Sequence, residues 1–295
     1  MKRIVVTGGN GQLGWELRRA LAPLGEVIAP GREILDLARP HLLAQALAAL
    51  KPDLLVNPAA YTAVDKAEAE PDRARLVNAE APGMLAETAR KLGVPLIHYS
   101  TDYVFDGRLA RAYRETDAPS PQSVYGATKQ AGEAAVAAVG GRFLILRTSW
   151  VYGLRGKNFL LTMRRLGRER EEVGVVDDQV GAPTWCRLIA EASSQLAVHW
   201  LAGGEAGRDR LETAWGLYHL SAGGHTSWHG FAAAIFAHLQ RQGEQTARLQ
   251  AITSADYPTP ARRPANSVLD CSKLRAAFGL ALPDWQTGLD LCLEA

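Results

Sequence analysis

Three glycines at a spacing of three, Gly8, Gly11 and Gly14, follow directly on the apolar run Ile4–Thr7 at the start of the chain. Asn10, Gln12 and Leu13 fill the turn between them, and a helix-like run begins at Trp15. Without side chains at the glycines, backbone N–H groups can approach a pyrophosphate, and a helix N-terminus welcomes its charge. Glycines alone say little, but a strand before them and a helix after them make a dinucleotide-binding turn. The alternative is a tight strand-to-helix turn with no ligand. A Walker-type phosphate loop is excluded, because no Gly-Lys-Ser/Thr follows.

Beyond the turn, short apolar runs alternate with amphipathic ones. Strands are expected at Ile4–Thr7, Val27–Ala29, Leu54–Asn57, Leu96–Ser100 and Phe143–Arg147. Helices are expected at Glu16–Leu24, His41–Leu50, Asp72–Leu92 and Val124–Val139. Continuous apolar strands separated by helices predict a parallel sheet covered on both faces, an α/β fold of the doubly wound Rossmann type. Past about Trp150 Pro and Gly become frequent, and Ala202–Arg210 reads as a surface loop. The expected division is a cofactor domain over 1–152, to which the chain returns between about 173 and 232, and a smaller substrate lobe over 153–295.

Composition narrows the partners. With 33 basic against 31 acidic residues and a net charge of +2, nothing calls for nucleic acid or an anionic membrane. The arginines at 164, 165, 168 and 170 are followed by Glu169, Glu171 and Glu172, the pattern of a solvated helix face. Cys186, Cys271 and Cys292 form no short-spaced pair, which argues against a disulfide framework and suits a reducing cytoplasm. No stretch reaches the ~20 apolar residues of a membrane span. His225 and His229 have helical spacing, but no glutamate follows His225, so no zinc motif results, and Ser227 reads as a helix cap.

Tyr125 and Lys129 stand four apart on the helix expected at Val124–Val139, which stacks them on one face. A free phenol titrates at about 10, and a neighbouring ammonium favours its ionised form. Reducing a carbonyl with hydride creates an alkoxide that needs such a proton donor. Leu96–Ser100 ends at Thr101-Asp102-Tyr103, and groups at the carboxyl ends of parallel strands face the crevice. Thr101 is therefore placed to hydrogen-bond the reacting oxygen. For the cofactor's second ribose, Arg32 suits the 2′-phosphate of NADPH, whereas Glu33 suits the free hydroxyl of NADH; NADPH is preferred and NADH stays open. Asp36 and Leu37 are expected beside the adenine.

Glycine turn, strand-end hydroxyl and Tyr-x-x-x-Lys, in that order, resemble the extended short-chain dehydrogenase/reductases. Within them the chain is most similar to the reductases of dTDP-linked 4-keto-6-deoxy sugars, over nearly its whole length. The segments that carry the likeness are Asn57–Glu68, His98–Phe105, Arg147–Tyr152, Asp178–Thr184 and Arg263-Pro264 with Asn266-Ser267. The resemblance implies reduction of dTDP-4-dehydro-L-rhamnose at C4, with Tyr125 as general acid. It also implies that Lys129 holds the nicotinamide ribose and tunes Tyr125, and that Thr101 orients the carbonyl. Ala59, Ala60 and Tyr61 are implied as cofactor contacts. Asp102, Tyr103, Trp150, Asn158, Phe159 and Arg263 are implied for the nucleotide-sugar pocket. Some relatives form a homodimer bridged by Mg²⁺ through glutamates; Glu16 and Glu294 match two of them, but Arg187 stands at a third, where a cation repels the metal. Tyr103 replaces the glutamate that sugar-nucleotide dehydratases carry after Thr-Asp. The rival of another class is a non-catalytic NADP-binding regulatory subunit, and another sugar-nucleotide 4-ketoreductase is the nearer alternative.

Overall fold

The computed structural model describes residues 1–204, 207 and 211–295. Its strands are β1 (Arg3–Val6), β2 (Glu26–Ile28), β3 (Leu54–Asn57), β4 (Leu96–Thr101) and β5 (Phe143–Thr148). With the later strand Gly216–His219 they form one sheet in the order Gly216–His219, β5, β4, β3, β1, β2. Every pairing in it is parallel. The helices that follow one another to the end of the first half are α1 (Gln12–Ala20), α2 (Leu43–Leu50), α3 (Val64–Ala69), α4 (Pro71–Arg75), α5 (Ala81–Leu92) and α6 (Val124–Val139). Beyond them lie α7 (Phe159–Glu169) and α8 (Cys186–Leu201).

The strand period of two explains the layers. Ile4 and Val6 point to one face of the sheet, where Leu17, Leu196 and Phe278 cover them, while Val5 points to the other, among Leu47, Leu85 and Val136. Both faces are apolar because both are covered, as expected from the unbroken Val/Ile/Leu runs. The second half of the chain supplies part of this covering: α8 packs on α1, Gly216–His219 pairs with β5, and Ser272–Phe278 adds Leu274 and Phe278. The rest of it forms a smaller lobe, where α7, Trp228–Arg241 and Trp285–Glu294 enclose Leu160, Phe231, Ile235 and Trp285. In that lobe Glu172–Val176 pairs in parallel with Arg248–Ile252.

Several element boundaries differ from expectation for identifiable reasons. The first helix begins at Gln12, inside the glycine turn, and stops at Leu21 ahead of Pro23. Asp72–Leu92 is three pieces, with a π-helical turn at Leu76–Glu80 between α4 and α5. Pro82 lies just inside α5 and has no N–H to give to Asn78, so the turn before it widens. Helix α6 keeps its expected ends because Ser123 caps it, accepting from Gly126 N at 3.2 Å. His225 precedes its helix and shares no face with His229; Ser227 caps that helix through Gly230 N. The arginine cluster on and after α7 makes exposed ion pairs, Arg165 with Glu169 and Arg168 with Glu244. The segment Ala202–Arg210, expected to loop, falls largely outside the described residues.

The strand order reverses between β1 and β3, and the carboxyl ends of these strands open the crevice in which such sheets bind ligands. Gly8 and Ala59 meet there: a Cβ on Gly8 would stand 2.9 Å from that of Ala59. Gly8 also has φ +56°, the left-handed region that glycine enters without strain.

Candidate active site

The glycine turn is built to bring bare backbone to a ligand. A Cβ on Gly14 would lie 2.2 Å from the Gly8 carbonyl oxygen, and one on Gly9 2.6 Å from the Ala29 Cβ, so neither position admits a side chain. Gly11 stands at the N-cap of α1 with no side chain to cap it, which leaves the first N–H groups of the helix for an anion. These features fit the pyrophosphate of a dinucleotide. Ala59, Ala60 and Tyr61 follow β3 directly beside the turn, and Tyr61 is fixed by Asn78, whose Oδ1 accepts from Tyr61 N at 2.8 Å. Arg32 and Glu33 lie exposed after β2, and the Glu33 carboxylate folds back over Gly31. Asp36 caps Ala38 N at 3.0 Å and pairs with Arg39. Leu37 is not an open wall for the adenine: it is buried in the core with Leu35, Leu43 and Leu47.

The carboxyl end of β4 and the first turns of α6 bring Thr101, Tyr125 and Lys129 together. Thr101 donates to Asp102 Oδ1 at 3.0 Å and accepts from Tyr103 N at 3.2 Å. The ring of Tyr103 meets that of Tyr125 edge to face, with centroids 5.5 Å apart. Burial pushes the Tyr125 phenol up to about 12; the Thr101 hydroxyl pulls the other way, and Asp102 adds to the rise. Lys129, expected to tune the phenol, is not among the groups that shift it here. The Lys129 ammonium is committed elsewhere, donating to the Tyr99 carbonyl at 2.7 Å, with His98 Nε2 at 3.5 Å. Desolvation lowers Lys129 to about 8, against a smaller opposing effect of Glu133 one turn on. Thus the phenol stays protonated at neutral pH and available as a donor, while the ammonium is held close to losing its proton.

Asp102 is the least satisfied group of the site. Its side chain is 2% exposed and Oδ2 has no hydrogen bond, although the Ser267 and Ser149 hydroxyls stand near enough to favour the charge. Desolvation outweighs them and lifts the carboxyl to about 6. Trp150 has φ +46°, a strained conformation for a bulky residue. Its indole stacks on Trp228 at 3.5 Å, and Phe159 lies against the same Trp228. Asn158 is taken up structurally: its Oδ1 caps α7 through Leu161 N, and its Nδ2 donates to Gln12 Oε1 at 2.7 Å. It thereby ties the smaller lobe to the glycine turn. Arg263 grips Asp65 with two bonds of 3.0 and 2.7 Å and lies close enough to Tyr103 to act on its phenol.

Three contributors escaped sequence reasoning. Asn78 also donates to Thr128 Oγ1 at 3.2 Å, which joins the π turn to α6 beside Lys129; a mid-helix proline was its only signal. Trp228 lies far from Trp150 in the chain, and His98 reads as one more residue of a buried strand. Arg187 pairs with Glu16, its Nε lying 3.3 Å from Glu16 Oε2.

The chain matches the family model described as "RmlD substrate binding domain" over residues 1–295. It is 50% identical to the dTDP-4-dehydrorhamnose reductase of Burkholderia thailandensis, over 99% of this chain and 98% of that protein. The enzyme of the same name from Shigella flexneri is 46% identical, with 99% and 97% covered. Among solved structures, dTDP-4-dehydrorhamnose reductase from Bacillus anthracis in complex with NADP superposes with a TM-score of 0.90, at 34% identity and with 100% and 99% of the chains covered.

Proposed function

From its membership of the RmlD substrate binding domain family, to which the chain belongs along its whole length, we infer a reductase of dTDP-4-dehydrorhamnose that uses NADP(H). It is an oxidoreductase, and the observation that carries the assignment to this site is the meeting of Thr101, Tyr125 and Lys129 beside the crevice opened by the glycine turn. The turn fits the cofactor, since Gly9 and Gly14 leave no room for side chains and the start of α1 is uncapped. When bound, the reduced nicotinamide supplies the hydride for C4 of the keto sugar.

The chain's own residues then divide the work. Gly8, Asn10, Gly11, Gln12, Leu13 and Gly14 hold the pyrophosphate, with Ala59, Ala60 and Tyr61 on the adjoining edge. Lys129 holds the nicotinamide ribose. Thr101 turns its hydroxyl from Asp102 Oδ1 to donate to the sugar carbonyl and position it, and Tyr125 gives the proton that the new alkoxide needs. A phenol held at about 12 is fully protonated at neutral pH, so it stands ready as acid without a preceding protonation. Asp102, Tyr103 and Trp150 line the sugar site, and Arg263, with its two-pronged guanidinium, faces the diphosphate by exchanging part of its Asp65 pairing. Arg32 is assigned to the 2′-phosphate of NADPH, with Asp36 near the adenine. A cytoplasmic location suits the three free cysteines, and among the described residues no helix is long and apolar enough to cross a membrane. Pairing of two copies, if through this face of α1, proceeds without a shared metal because Arg187 already occupies Glu16.

Tyr125→Phe tests the assignment. Loss of a general acid lowers turnover of dTDP-4-dehydrorhamnose by about 10²–10⁴-fold, while NADPH affinity, read by fluorescence titration, stays close to that of the parent. Equal loss of turnover and affinity would remove Tyr125 from its role.

A further inference from the structure

Thr7 closes the run into the glycine turn, and its hydroxyl lies 2.6 Å from Asn57 Oδ1 while receiving Ala59 N–H at 3.3 Å. A separation of 2.6 Å is the length of an O–H···O bond and short for N–H···O. The Thr7 proton therefore points at the Asn57 oxygen, and the amide nitrogen of Asn57 faces His98 Nδ1 at 3.0 Å. A neutral imidazole that accepts at Nδ1 carries its proton at Nε2. That Nε2–H looks at Lys129 Nζ across 3.5 Å. Two donors cannot bond each other, which explains why this distance stays long while Lys129 closes on the Tyr99 carbonyl at 2.7 Å. All four side chains are buried, so no bulk water offers an alternative partner.

We propose that Asn57 and His98 are positioning residues for Lys129: the amide locks the imidazole in its Nε2–H tautomer, and the imidazole thereby denies the ammonium a lone pair and directs it onto the Tyr99 carbonyl. The assignment rests on Lys129 holding the cofactor ribose, as inferred above. The charged group that acts on Lys129 is Glu133 one turn on along α6, itself held by Arg147 of β5 in a bidentate pair. Glu133 favours the ammonium; desolvation opposes it more strongly, leaving Lys129 at about 8. His98 itself stays neutral, since burial and the Lys129 charge both hold its imidazole well below the usual histidine range. Lys129 is thus an ammonium below about pH 8 and an amine above it, so NADPH affinity falls as pH rises through that value.

The tautomer is read directly from the histidine ¹⁵N resonances of the free protein, with no cofactor or substrate present. His98 is expected to show a bare Nδ1 and a protonated Nε2 from roughly pH 6 to 9, with no imidazolium. A protonated Nδ1, or titration near neutrality, overturns the proposal. In His98→Gln the amide oxygen can accept from Lys129, and the alkaline fall of NADPH affinity, followed by fluorescence titration, is expected to move up by about one pH unit. A uniform loss of affinity with the fall unmoved also overturns it. Should that variant not fold, Asn57→Asp serves: its carboxylate can only accept, so the ring proton moves from Nε2 to Nδ1 to bond it, the freed Nε2 lone pair turns towards Lys129, and the fall shifts in the same direction; an unmoved fall again refutes. Intact tautomer and pH response with no turnover of dTDP-4-dehydrorhamnose would count against the reductase reading instead, which keeps the two failures apart.

Discussion

Asp102→Asn should make the protein more stable at neutral pH while impairing it as an enzyme. The carboxyl is lifted from 3.8 to about 6 because its charge is buried and Oδ2 has no hydrogen bond. Below about pH 3.8 folded and unfolded chains both hold the proton and the group costs nothing. Between there and about 6 the folded chain keeps a proton that the unfolded chain has released, so stability falls as pH rises; above about 6 the full cost is in place. A rise of this size corresponds to on the order of 3 kcal/mol. With an unfolding entropy of roughly 2 cal/mol/K per residue, a chain of this length gains about 5 °C in Tm when that cost is removed. Asparagine keeps the Oδ1 acceptor for Thr101 and offers donors where Oδ2 has none, next to Ser149 and Ser267. Thermal melts of parent and variant are compared at about pH 8 and about pH 4, where the gain should be present and nearly absent respectively. A gain that is equal at both, or a loss at the higher pH, would refute the burial argument. The carboxylate's cost is the kind of local instability that active sites retain for function.

The Arg147–Glu133 pair, with bonds of 2.8 and 2.6 Å and both side chains almost fully buried, gives the opposite result. Arg147→Met alone leaves a buried carboxylate unpaired and should cost about 3–5 kcal/mol, whereas Arg147→Met with Glu133→Leu should restore most of it; melting temperatures of the two variants check this. Gly14→Ala places a Cβ 2.2 Å from the Gly8 carbonyl, so the glycine turn must shift. NADPH binding, measured by calorimetry, should weaken by more than about tenfold, or ~1.4 kcal/mol, and unchanged affinity would mean that the turn does not hold the cofactor.

Much of the fold was written in local patterns. Unbroken apolar runs such as Leu54–Asn57 could only be strands covered on both sides, and Ser123 and Gly93 marked where α6 starts and α5 ends. Boundaries failed where a single residue acts through its neighbours, as Pro82 does in widening the turn at Asn78. The strand Gly216–His219 was not seen, because its identity as a strand comes from the open edge of β5 and not from its own four residues.

The candidate site divides along the same line. The glycine spacing and the four-residue step from Tyr125 to Lys129 are fixed by the geometry of a turn and a helix, so sequence alone could bring those groups to the crevice. What the charged groups then experience depends on solvent exclusion and on partners far away in the chain. Lys129 was expected to lower the Tyr125 phenol, but tertiary packing gives the ammonium to the Tyr99 carbonyl and surrounds it with His98 and Glu133, while burial raises the phenol. The pairs Asn158 with Gln12 and Arg187 with Glu16 join residues 146 and 171 positions apart. Local order sets which chemistry is present; desolvation and long-range contact, which no short segment encodes, set the protonation state in which it waits.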